Sequence, residues 1–131
     1  VYKSGFAQSQ EAYEDAVLPV FDTLGWMEDI LARQHWLAGD RFTEADIRAF
    51  VTLLRFDPVY HGHFKCNRAR IVDDPNLWAY TREIYQMPGV AETVNLDHIR
   101  NHYYASHETV NPTRIVAVGP VLDYMAPHGR G

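Results

Sequence analysis

The sequence predicts an all-α fold: a helical bundle followed by an extended C-terminal coil. Three observations carry this. Apolar residues recur at helical spacing from Ala12 to Leu31. Helix starts are written into Thr43–Asp46 and Asp74–Pro75, each followed by an apolar face. The β-branched run Ile115–Val118 has no apparent partner strand.

At 131 residues the chain is long enough for one substantial core, and residues 1–131 are read as a single domain. Hydrophobic residues make up 47% of it and aromatics 13%, a composition that excludes general disorder. A net charge of −5 without a Lys/Arg run excludes nucleic acid and anionic membrane as natural partners. No apolar run approaches the roughly 18 residues of a membrane span, and no leader is apparent. The lone Cys66 cannot form an internal disulfide, which fits a reducing cytoplasm. The chain opens on Val1 rather than Met, so it is expected to be a fragment of something longer or a processed product.

The first helix is expected from about Gln8 to Arg33, amphipathic, bent but not broken at Pro19. Gly39 marks the turn before the next helix. There Thr43 is the N-cap and Asp46 reaches back to the cap's own N–H, a capping box with Asp in the usual Glu place. Phe42 and Ile47 are spaced to close a hydrophobic staple. Ala45, Phe50, Val51, Leu53 and Leu54 make this helix apolar over much of its surface, so it is expected to be central and buried. Pro58 predicts a kink or stop at Asp57. Asp74 is read as the N-cap of the next helix, with Pro75 at its first position and Pro88-Gly89 at its end. Val90–Val94 reads as a short turn, and Asn95 or Asp97 caps a last helix through about Ser106. From His107 to Gly131 the period is lost. This tail is expected to lie across the helices, held by Ile115–Val118.

Three constellations offer chemistry. His61 and His63 lie near Cys66, and His98 and His102 are four apart, but the spacings match no strong metal pattern; structural histidines are the favoured reading. Cys66 is flanked by Lys65 and Arg68, which lower a thiol pKa when close. Its aromatic-rich setting favours a buried, inert thiol instead. Tyr103 and Tyr104 point about 100° apart on a helix, so one is free to enter the core while the other faces a cleft.

The loop Leu37-Ala38-Gly39-Asp40 followed by Thr-x-x-Asp-Ile resembles the folding motif of the glutathione transferase C-terminal helical domain. The segments Arg55–Asn67, Asn76–Asn95 and Asp97–Pro120, with the opening Val1–Glu14, resemble glutathionyl-hydroquinone reductases, the Xi class of that superfamily. The resemblance implies a whole enzyme of two domains. A thioredoxin-like N-terminal domain binds the co-substrate glutathione and supplies a Cys-Pro-Trp cysteine, whose thiolate attacks the sulfur of a glutathionyl-hydroquinone. The helical domain walls the aromatic ring. Family tyrosines that contact the hydroquinone map to Tyr2 and Tyr103, with His102 and Tyr104 as neighbours. No catalytic cysteine falls in this chain, so alone it is expected to be inactive. A homodimer is also implied. With its N-terminal partner domain absent, the chain is expected to expose apolar surface and to hold Tyr2 loosely. The alternatives are a stand-alone helical protein-interaction module and a metal-binding helical protein.

Overall fold

The computed structural model describes residues 1–131 and is helical without any sheet. A one-turn helix, α1 (Tyr2–Gly5), precedes the long α2 (Gln10–Leu31). Ser9 starts α2 by accepting the Ala12 N–H at 3.1 Å. The helix runs unbroken through Pro19, which lies on its exposed side. There the carbonyl freed by the missing proline N–H can be satisfied by water. Val17, Leu24, Met27 and Leu31 form its buried stripe.

Helix α3 (Glu44–Arg55) begins at the predicted capping box. Its firm half is Asp46, whose Oδ2 accepts the Thr43 N–H at 2.8 Å. The same carboxylate accepts the Leu37 N–H at 3.0 Å and the Tyr80 hydroxyl at 2.8 Å. Asp46 is fully buried, and these donors compensate its lost hydration. The staple does not form as expected: Ile47 is half exposed, and Phe42 packs edge-on against Trp36 with ring centroids 5.0 Å apart. The expected burial of α3 is also one-sided. Phe50, Leu53 and Leu54 are buried, whereas Val51 is exposed, because both flanks of the helix line open clefts.

The kink predicted at Pro58 takes the form of a π-helical turn, Phe56–Tyr60, continuing directly from α3. Pro58 lacks the N–H for an α-helical bond, and the wider turn closes instead through the His61 N–H to the Phe56 carbonyl at 2.9 Å. Every residue of this turn is buried. Asp57 within it accepts the N–H groups of Ile71 and Val72 at 2.7 and 3.0 Å, fixing the 3₁₀ turn Ile71–Asp73.

Helix α4 (Pro75–Tyr85) has Asp74 at its N-cap position and Pro75 next, as expected, but Asp74 makes no side-chain cap bond. Glu28 on α2 supplies the carboxylate, accepting the Asn76 and Leu77 N–H groups at 2.9 and 2.7 Å. An acidic side chain from another helix thus meets the positive end of α4 and ties the two together. After a 3₁₀ turn, Ala91–Thr93, Asn95 caps α5 (Leu96–Ser106) through the His98 N–H at 3.0 Å.

The tail does cross the helices as a coil, but not through the expected residues. Ile115 is 71% and Val118 93% exposed. An extended run without a helical period gives no indication of which face is covered. The tail is held instead by Tyr124, buried between Trp78 and Tyr85, and by side chains reaching its carbonyls. Arg100 donates to the Pro120 carbonyl, Gln86 to those of Tyr124 and Ala126, and Arg82 to that of Pro127, each at 2.8 Å. Near its end Arg130 pairs with Glu83 at 2.6 Å.

Candidate functional site

Two of the predicted site residues, Tyr2 and Tyr103, meet, and Tyr60, which was not predicted, joins them. Tyr2 comes from α1, Tyr103 from the middle of α5, and Tyr60 from the last position of the π turn. The Tyr2 and Tyr103 hydroxyl oxygens are 2.5 Å apart, and Tyr60 approaches the Tyr103 hydroxyl at 3.3 Å. The rings interlock as well: Tyr60 and Tyr103 meet edge-to-face at 5.7 Å, and Tyr2 lies tilted 5.2 Å from Phe64. Tyr2 is thus packed against Phe64 and bonded to Tyr103, although about half of it remains exposed. Burial, reinforced by the Tyr103 hydrogen bond, raises the Tyr2 pKa; the same causes raise that of Tyr60. Both phenols are neutral donors at physiological pH.

These tyrosines open onto a cleft of about 460 Å³, whose other lining residues are Val51, Thr52 and Arg55. Arg55 is its one charged side chain. A second, apolar groove of about 410 Å³ runs between α2 and α3, lined by Val20, Leu24, Met27, Leu53 and Phe56 among others.

Tyr104 does not share the cleft. It is buried on the far side, its ring 4.8 Å from His63, and its hydroxyl fills the space where a Cβ on Gly62 would stand. His102 is exposed, 5.0 Å ring-to-ring from Tyr103. The expected division between core and cleft does not hold: Tyr103 does both, packed in the core while lining the cleft, and Tyr104 is buried away from it. Sequence reasoning missed Tyr60 and Arg55. The signal available was Pro58, which announced a distortion there without its form.

His63 is buried and hydrogen-bonded through Nε2 to Nδ1 of His107 at 3.0 Å. Burial, then the neighbouring charges of His107 and Lys65, lowers the His63 pKa to about 4. No group of three or more His, Cys, Asp or Glu is placed to hold a metal ion. Cys66 is fully buried, with the Ser4 hydroxyl 3.1 Å from its sulfur, and burial pushes its thiol pKa up. No helix is long and apolar enough to cross a membrane.

A single helical domain built around a capped central helix is the architecture of a glutathione transferase C-terminal domain. The family model of the glutathione S-transferase C-terminal domain matches residues 10–83, and the chain belongs to that family. Glutathionyl-hydroquinone reductase YqjG of Escherichia coli (strain K12) is 59% identical over 130 residues, 99% of this chain and 40% of that protein. The reductase PcpF of Sphingobium chlorophenolicum is 59% identical over 120 residues, 92% of this chain and 38% of that protein. The glutathione-bound structure of YqjG superposes with a TM-score of 0.97 at 59% identity, covering 98% of this chain and 42% of that one. The Xi-class transferase of Natrialba magadii gives 0.97 at 56% identity, over 98% and 39% of the two chains. The chain thus spans about two fifths of the length of the curated relatives it matches.

Proposed function

We infer that this chain is the acceptor-substrate domain of a glutathione-dependent reductase that converts glutathionyl-hydroquinones to hydroquinones. The observation that carries the reading is the convergence of Tyr2, Tyr60 and Tyr103 at an open cleft. It gains weight from close relatives that bear the name of that activity.

In this reading the ring lies in the cleft and a tyrosine hydroxyl holds one of its oxygens, with Tyr104 and His102 supporting from behind and beside. Glutathione is a co-substrate held mainly by a thioredoxin-like N-terminal domain. A cysteine thiolate of that domain attacks the glutathionyl sulfur. The carbon–sulfur bond breaks, the ring carbon takes a proton, and a mixed disulfide remains for a second glutathione to resolve. Cys66, buried and with a raised pKa, is unsuited to the attack. The apolar groove between α2 and α3 is the kind of face that a longer chain covers. The complete protein is read as a cytoplasmic homodimer.

The same exposed groove is what favours the alternative, a stand-alone helical interaction module. Turnover separates the two readings. The 131-residue chain should fold yet neither reduce a glutathionyl-hydroquinone nor bind glutathione. The complete protein that carries it should do both. A complete protein inactive on every glutathionyl-hydroquinone tried would overturn the reductase reading.

A further inference from the structure

Arg55 occupies an unusual position. It lines the tyrosine cleft as the only charged side chain, at the junction of α3 and the π turn. No carboxylate in the chain pairs with it: the ion pairs of the molecule involve Arg48, Arg70, Arg100, Arg114 and Arg130 but not Arg55. Its Nη1 donates to the Val51 carbonyl at 2.9 Å, leaving the rest of the guanidinium fork uncommitted.

The tyrosines beside it have a matching surplus. Each hydroxyl carries one proton and can also accept. The contacts Tyr2–Tyr103 and Tyr103–Tyr60 use at most one proton each. Of three hydroxyl protons, one is left to donate outward. Tyr2 and Tyr60 stay protonated because burial raises their pKa. The mouth of the cleft therefore combines a free phenol donor with an unpaired cation, and no anion answers either. Such a pairing favours an acceptor that carries negative charge.

We propose that Arg55 is a specificity-determining residue of the cleft, selecting aromatic rings that bear an anionic group, a ring carboxylate or an ionised acidic phenol, over neutral rings of the same shape. This rests on the reductase reading and names the substrate class within it. Arg55 also lies in the last turn of α3, where a cation favours the helix macrodipole. That structural role would alter stability and not the choice between rings.

The test uses the complete protein and two glutathionyl-hydroquinones that differ only in a ring carboxylate against the isosteric carboxamide. The glutathionyl part, with its own charges, is common to both. The unaltered enzyme should prefer the carboxylate by about tenfold in kcat/KM, the scale of one charge-assisted contact in a half-open site. The difference should lie mainly in KM. Arg55→Gln should abolish the preference, lowering carboxylate turnover about tenfold more than carboxamide turnover. Arg55→Lys should restore part of it, since the charge returns without the planar fork. Reduction of a small disulfide without a ring should be unchanged in both variants, which shows that the fold and the thiolate survive. Equal turnover of the two rings by the unaltered enzyme, or equal losses on both in Arg55→Gln, would overturn the inference and leave the reductase reading standing. Failure of the unaltered enzyme on both rings, with the small disulfide still reduced, would overturn both.

Discussion

The hydroxyls of Tyr2 and Tyr103 lie 2.5 Å apart although 101 positions separate them in the chain. A contact that short couples the two side chains, so their substitutions should not behave independently. Tyr103→Phe keeps the ring and removes the hydroxyl. In the complete protein it should lower kcat/KM on a glutathionyl-hydroquinone by the equivalent of about 0.5–1.5 kcal/mol, or up to about 3 kcal/mol if the ring oxygen carries charge. Tyr2→Phe should act in the same direction. The double variant should lose less than the two single losses combined. Reduction of a small disulfide should be nearly unchanged. Equal losses on both substrates would mean that Tyr103 acts through the fold, and would remove it from the site.

Asp46 should matter more to stability than the residue it caps. Thr43→Ala removes one hydroxyl and should cost about 1 kcal/mol. Asp46→Ala leaves the Thr43 N–H, the Leu37 N–H and the Tyr80 hydroxyl without their acceptor, and should cost about 3 kcal/mol or more. Urea midpoints of the two variants check the order. Similar midpoints would mean that the buried carboxylate is no better satisfied than an ordinary cap.

The His63–His107 pair should make the fold sensitive to acid. His63 resists protonation in the native state down to about pH 4, against its ordinary 6.5. In the unfolded chain it takes a proton as the pH falls through 6.5. Above that value the residue is neutral in both states and contributes no slope. Between the two values the unfolded state binds the extra proton, so stability should fall as pH falls, by at most about 1.4 kcal/mol per pH unit. His107, whose pKa is also lowered by burial and by His102, acts in the same direction. His63→Gln should flatten the decline in a series of urea melts from pH 7 to about pH 4. An unchanged slope would place the acid sensitivity elsewhere.

Cys66 should behave as a core atom. A thiol reagent should leave it unmodified in the native chain and react once the chain is unfolded, because the sulfur is fully buried against Ser4. Cys66→Ser in the complete protein should leave turnover largely intact. Loss of activity with normal folding would make Cys66 a redox participant.

Local chemistry made most of the fold legible. The starts of α3 and α5 are set by side chains within three residues of the N–H groups they satisfy, and a sequence displays that distance directly. Where the partner is remote, the reading failed. Glu28 caps α4 across 48 positions, and nothing near Asp74 reveals it. Ile115 and Val118 look like anchors because they are apolar, yet the tail is held by Tyr124 and by backbone carbonyls that any sequence possesses. At the candidate site Tyr2 and Tyr103 were legible through resemblance. Tyr60 and Arg55 were not, because their placement depends on how the chain passes Pro58, and a proline announces a break without giving its geometry.

The widened turn Phe56–Tyr60 can also be viewed as a one-residue insertion into a helix. Each residue rotates an α-helix by about 100°. Deleting Pro58 would remove both the extra residue and the missing N–H, let α3 continue in regular α geometry, and swing Tyr60 by roughly that angle, away from Tyr103. The indel history of this short stretch should therefore be far more restricted than that of the tail, since gaining or losing one codon there dismantles the tyrosine cluster without touching a tyrosine.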